Sequence, residues 1–149
     1  MNQNEIHVER TFPVSRQTLF AAFTDPAPLA EWWGPEGSVN NFEIFELTPG
    51  GRWDFVMRAA DGTTYRMTNR FVEVLPPERI VVRHDQEDHG FDMIMQYDII
   101  DSASTRLRWC MRFDSADEAG RVRKFVLEAN EQNFDRLERV LGVSQTRTR

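Results

Sequence analysis

Between Ser38 and Phe113 apolar and polar residues alternate with a period of two, interrupted by turn-forming clusters at Thr48 to Gly51, Ala60 to Gly62, Leu75 to Glu78, Asp85 to Gly90 and Asp101 to Ser104. Successive side chains of a strand point to opposite faces, so five turns divide this stretch into six strands with one apolar face. Trp53, Phe55 and Met57 fall on that face, with Asp54, Val56 and Arg58 behind them. Phe91, Met93, Met95, Tyr97 and Ile99 repeat the pattern. So do Thr105, Leu107, Trp109, Met111 and Phe113, against Arg106, Arg108, Cys110 and Arg112.

Upstream, Ile6, Val8, Arg10 and Phe12 form a further strand, ended by Pro13, which has no N–H for a ladder. Ser15 caps a short helix carrying Leu19, Phe20, Ala22 and Phe23, which stops near Asp25 and Pro26. A second short helix, PAPLAEWW, ends at Gly34 and Pro35. Downstream of Phe113, Ser115 is the cap, and Asp117 with Glu118 suit the first turn of a long amphipathic helix. Val122, Phe125, Val126, Ala129, Asn133, Leu137, Val140 and Leu141 recur at steps of three and four, and Gly142 closes the helix. The pattern predicts one α+β domain over residues 1–143, a seven-stranded antiparallel sheet covered by the C-terminal helix, and a disordered tail over 144–149. A pocket between sheet and helix fits this geometry, and so does a filled core.

At 149 residues and 40% apolar, the chain can bury one core without staples. Its net charge of -6 argues against a hold on nucleic acid or anionic membrane. The lone Cys110 leaves no disulfide framework or cysteine-rich zinc site. No run of about 18 apolar residues occurs, and MNQNEIHVER has no secretory stretch, so a cytoplasmic protein is expected. Eleven Phe, four Trp and six Met suit either a packed core or an apolar pocket.

Candidate chemistry is sparse. HDQEDHG puts His84 and His89 beside three acids, but on a hairpin turn, where a solvated loop is the better reading and no metal or cofactor is expected. His7 falls on the exposed face of the first strand. Cys110 shares its face with three arginines, which would lower the thiol pKa if it were exposed, although a plain strand thiol is the simpler reading. GxSxG is absent, and PGG at 49 to 51 precedes a strand and reads as a hairpin turn. The outer arginines, with Asp54, Glu73, Asp92 and Asp98, suit cross-strand ion pairs worth at most about 1 kcal/mol each. Adjacent Trp32 and Trp33 cannot both point inward from one helical turn, which predicts one in the core and the other at a pocket mouth or partner surface. Arg10, Tyr65, Asn69, Asn130 and Asn133 are polar positions on apolar faces, where a ligand, backbone or buried water must satisfy them.

RTFPVSRQTLFAAFTDPAPLAEWWGPEG, followed by PGGRWDFVMRAADGTTYRMTNRFVEVLPPERIV, resembles the activator of heat-shock protein 90 ATPase homologue-like family of the SRPBCC (START-like) superfamily. The likeness runs from about Val8 to Leu141, through Phe20 and Phe23, Asp25 and Pro26, Trp32 to Pro35, Gly50 and Gly51, Asp61 and Gly62, and Pro76 to Arg79. It implies a helix-grip fold like that of the birch-pollen allergen, with an internal cavity for a lipid-like, polyketide-like or other hydrophobic molecule. It carries over no catalytic motif.

The expected function is therefore the binding of a hydrophobic or amphipathic small molecule, without catalysis. The predicted lining is Phe20, Trp32, Trp53, Phe55, Met57, Tyr65, Met93, Met95, Trp109, Met111, Asn130, Asn133 and Phe134. Two other readings stay open: a module that binds a chaperone or another protein through the outer face or the loop after Trp33, and a cyclase or hydrolase of an aromatic or polyketide-like substrate. A monomer fits, and a homodimer would follow from apolar surface near Trp33.

Overall fold

The computed structural model describes residues 3–85 and 90–143. His89 and the tail over 144–149 therefore lie outside the described residues. The order is β1 (Glu5–Phe12), α1 (Arg16–Thr24), α2 (Pro26–Trp32), β2 (Val39–Phe45), β3 (Arg52–Arg58), β4 (Thr64–Leu75), β5 (Arg79–Asp85), β6 (Gly90–Asp101), β7 (Ser104–Phe113) and α3 (Ala116–Leu141). The seven strands form one antiparallel sheet in the order β1-β7-β6-β5-β4-β3-β2. Register shifts at Phe42/Ile44, Phe71/Glu73 and Ile99/Asp101 help it curve around α3.

Local chemistry sets the ends of the helices. Ser15 Oγ accepts from the Thr18 N–H at 3.2 Å, and Ser115 Oγ from Glu118 at 3.1 Å, each satisfying an N–H that no helical carbonyl can reach. Asp25 closes α1 and opens α2, where its carboxylate accepts from Ala27 at 3.2 Å ahead of Pro26. Gly142, at φ 74°, ends α3 in the left-handed conformation and donates to the Arg139 carbonyl.

Gly51 has a different task. A Cβ there would stand 2.0 Å from the Glu46 carbonyl oxygen, in the tight β2–β3 connection. Gly51→Ala is expected to cost about 2–3 kcal/mol and lower the melting temperature by roughly 5–10 °C. Gly120→Ala, with nothing near its Cβ on α3, should instead stabilise by about 0.5–1 kcal/mol. Thermal denaturation of the two variants checks the contrast, and equal shifts would refute it.

Two expectations are corrected. Trp32 and Trp33 are both buried, because α2 ends at Trp32 and Trp33 continues in extended backbone (ψ 132°), which turns its indole inward as well. Trp33 itself, 8% exposed, is thus not an outer apolar surface. The buried face of α3 runs through Ala119, Val126, Asn130, Asn133, Phe134 and Leu137, which puts Phe125 at its edge, 68% exposed. No described helix is long and apolar enough to cross a membrane.

Candidate ligand-binding site

Aromatic rings fill most of the space between sheet and helices. Trp33 stacks on Trp109 (5.3 Å between centroids) and meets Trp53 edge-on at 4.8 Å. Trp32 donates its indole N–H to the Ala22 carbonyl at 3.0 Å and packs on Phe23, which meets Tyr97 at 5.1 Å. Phe134 of α3 bridges Phe12 and Trp109.

The filling stops short of one end. α3 packs most closely on β1 and α2. Beside its N-terminal half a cavity of about 280 Å³ remains, near the lower end of the small-molecule range of about 300–1,000 Å³. Val122, Phe125 and Val126 of α3 form one wall. Phe55, Met67, Asn69, His84, Phe91, Met93, Met111 and Phe113 of β3 to β7 form the other, and Trp33 completes it. Phe125, mostly exposed, stands where this cavity opens to solvent.

Its polar groups are a linked pair. Asn69 and His84 face each other across β4 and β5, both buried. Asn69 Nδ2 donates to the Trp53 carbonyl at 3.0 Å, and a carbonyl can only accept, so Asn69 Oδ1 must be the atom 2.8 Å from His84 Nδ1. His84 Nδ1 therefore carries a proton and donates it to Asn69 Oδ1. Phe91 packs on the imidazole at 4.8 Å.

This overturns the placement of His84 in a solvated turn. β5 continues through Asp85, and His84 shares the inner face with Ile80 and Val82. The signal was the spacing 80, 82, 84, which the charges of HDQEDHG obscured.

Of the predicted lining, Phe55, Met93 and Met111 reach the cavity. Phe20, Trp32, Trp53, Met57, Met95, Trp109 and Phe134 are buried elsewhere in the core, and Tyr65 lies 48% exposed near the start of β4. Asn133 Oδ1 accepts from the Gly34 N–H at 2.6 Å, its Nδ2 donates to Asn130 Oδ1 at 3.1 Å, and Asn130 reaches Met111 Sδ at 3.6 Å. Asn133 thus holds the loop after α2 onto α3 and Asn130 joins the helix to β7, and neither lines the cavity. Arg10 is likewise occupied by the helix, donating to Glu131, Asp135 and Glu138 at 2.5–3.1 Å. The buried donors without a protein partner among the described residues are Arg16 Nε, the indole N–H groups of Trp53 and Trp109 and the Tyr97 hydroxyl. Both indoles pack on Trp33, which lines the cavity.

The outer face carries the predicted ion pairs, Arg108 with Asp98, Arg79 with Glu73 and Arg83 with Asp92, while Asp54 pairs along its own strand with Arg52. Cys110 is half-buried, so the lowering that exposure beside arginines would bring is not found. Burial first, then the Glu5 carboxylate, push its thiol up to about 11, and Arg112 only partly opposes them.

The family model described as Activator of Hsp90 ATPase homolog 1-like protein matches residues 13–142. No functionally curated protein matches significantly. Among solved structures, a crystal structure of a Nitrosomonas europaea protein is 17% identical, covering 95% of this chain and 96% of that one, with a TM-score of 0.86. A solution structure of an Arthrobacter aurescens protein is 20% identical, with 94% and 87% covered and a TM-score of 0.84. The crystal structure of the AHSA1 protein from Silicibacter pomeroyi is 23% identical, with 93% and 97% covered and a TM-score of 0.75. At these identities the likeness concerns the fold, a curved antiparallel sheet gripping a long C-terminal helix.

Proposed function

We propose, from the premise that this chain belongs to the Activator of Hsp90 ATPase homolog 1-like family, that it binds a small amphipathic molecule between β3 to β7 and the N-terminal half of α3. One observation carries the reading: an almost wholly apolar cavity holds a single hydrogen-bonded polar pair, His84 with Asn69. Apolar walls supply affinity, and a fixed polar group selects orientation. His84 and Asn69 are the polar groups of an otherwise apolar lining, so the ligand class is an aromatic or short aliphatic body bearing a hydroxyl or another polar group. The domain spans residues 1–143, and its location is cytoplasmic. Phe91, Phe113, Met67, Met93 and Met111 offer ring and thioether contacts to an aromatic body.

Competition against the fluorescence of bound anilinonaphthalene sulfonate tests this. Naphthol is expected to displace the dye and to bind more tightly than naphthalene. In His84→Phe the naphthol advantage should fall about fivefold to tenfold, the worth of one buried hydrogen bond, while naphthalene affinity holds. No saturable dye binding, or an advantage unchanged in the variant, would overturn the reading.

A further inference from the structure

We propose that Glu5, His7 and Cys110, on the outer face of the sheet, form a site for a divalent metal of the zinc type whose fourth coordination position opens into the adjoining groove. The site lies on the sheet face opposite the ligand cavity, and the two readings stand or fall separately. Glu5 and His7 are two residues apart on β1 and so share a face. Cys110 of β7 is the direct cross-strand partner of His7.

The donor atoms are already close together. His7 Nε2 is 2.9 Å from Glu5 Oε1 and 3.8 Å from Cys110 Sγ, and all three donors lie within 4.8 Å of one another. Tetrahedral zinc, with bonds of about 2.0–2.3 Å, sets its ligand atoms roughly 3.3–3.6 Å apart, so side-chain shifts of about 1 Å complete the triangle. Carboxylate, imidazole and thiolate together suit zinc and its neighbours rather than magnesium or calcium, which take oxygen alone.

Two further features fit a metal. Arg112 Nε donates to Glu5 Oε2 at 2.9 Å, which keeps Oε1 turned toward His7, the kind of outer contact that orients a ligating carboxylate. A groove of about 430 Å³ lies over the cluster, its remaining walls including Ile94, Gln96, Arg79 and Arg108. Three protein ligands with an open position match the form of zinc sites that bind a water or substrate, whereas structural sites take four protein ligands. Metal takes the place of the thiol proton, so binding releases a proton, and Glu5, which in the free protein opposes the thiolate, becomes its co-ligand.

Cobalt(II) is the probe, titrated into the full chain under non-thiol reducing conditions. We expect a thiolate-to-cobalt absorption band in the near ultraviolet that saturates at one metal per chain and is bleached by zinc. Cys110→Ser should abolish the band, and His7→Ala and Glu5→Gln should each weaken binding about tenfold or more. Circular dichroism checks that each variant stays folded, as these outer-face positions allow. No band, or a band with equal affinity in His7→Ala and Glu5→Gln, would overturn the proposal, since the thiol would then bind metal alone.

Discussion

Val126→Trp is expected to weaken binding of anilinonaphthalene sulfonate by about 30-fold while leaving the chain folded. Val126 is buried on α3, and its side chain lines the cavity wall opposite the strands. An indole there projects into the 280 Å³ that the ligand would occupy. Displacing a probe from about 80 Å² of apolar wall loses about 2 kcal/mol, which is ~30-fold in affinity. The space that costs the ligand its site also spares the protein, since a larger side chain entering a void avoids most of the 1–3 kcal/mol or so that overpacking a filled core costs. Ile99→Trp, on a side chain already 58% exposed and far from the cavity lining, serves as the control and should bind the dye as before. Equal affinities for the two variants would mean that the dye sits elsewhere.

Arg136→Ala is expected to destabilise the fold by about 3 kcal/mol and lower the melting temperature by roughly 6–12 °C. The guanidinium reaches from α3 into the loop after α2. Its Nη1 lies 2.8–3.2 Å from the carbonyls of Trp33, Gly34 and Pro35 and from Ser38 Oγ, and its Nη2 lies 2.6 Å and 3.1 Å from those of Glu31 and Ser38. Five backbone carbonyls thus lose this donor in one substitution; those of Trp33 and Pro35 keep another, from Asn40 and Ser38, but partly buried acceptors of this kind recover water poorly. Arg136→Lys should restore only part of the loss, because an ammonium cannot match the planar fork. The neighbouring Arg139 holds Glu36 through two 2.7 Å contacts, but both side chains are about half exposed, so Arg139→Ala should stay within about 1 kcal/mol. Because the clamped loop begins at Trp33, Arg136→Ala should also weaken dye binding. A melting temperature within roughly 2 °C of the parent would refute the assignment.

The period-two alternation and its five interruptions located all six strands after α2, because each interruption is a turn whose residues cannot sustain a ladder. Ser15, Asp25, Ser115 and Gly142 marked helix ends for an equally local reason: their side chains or their freedom of φ satisfy backbone groups within a few residues. Face assignment on β3, β6 and β7 followed from the same parity. What parity cannot say is which part of an apolar face is covered by a ring and which is left open. Trp53, Trp109 and Met93 lie on the same inner face, yet only Met93 meets the cavity, since Trp33 and Phe134 fill the space above the two indoles. His84 shows the limit at a single residue. Its neighbours in sequence are charged and loop-like, while its cross-strand neighbour Asn69 is more than a dozen residues away and supplies the hydrogen bond that makes burial affordable. Arg10 and Arg136 belong with it, since their partners are reached only across the fold. The sequence by itself therefore determined the strands, the helices and the faces, which depend on contacts between near residues. Only the tertiary structure decided where the space between them lies and which polar groups meet inside it, because both depend on how distant side chains share one volume.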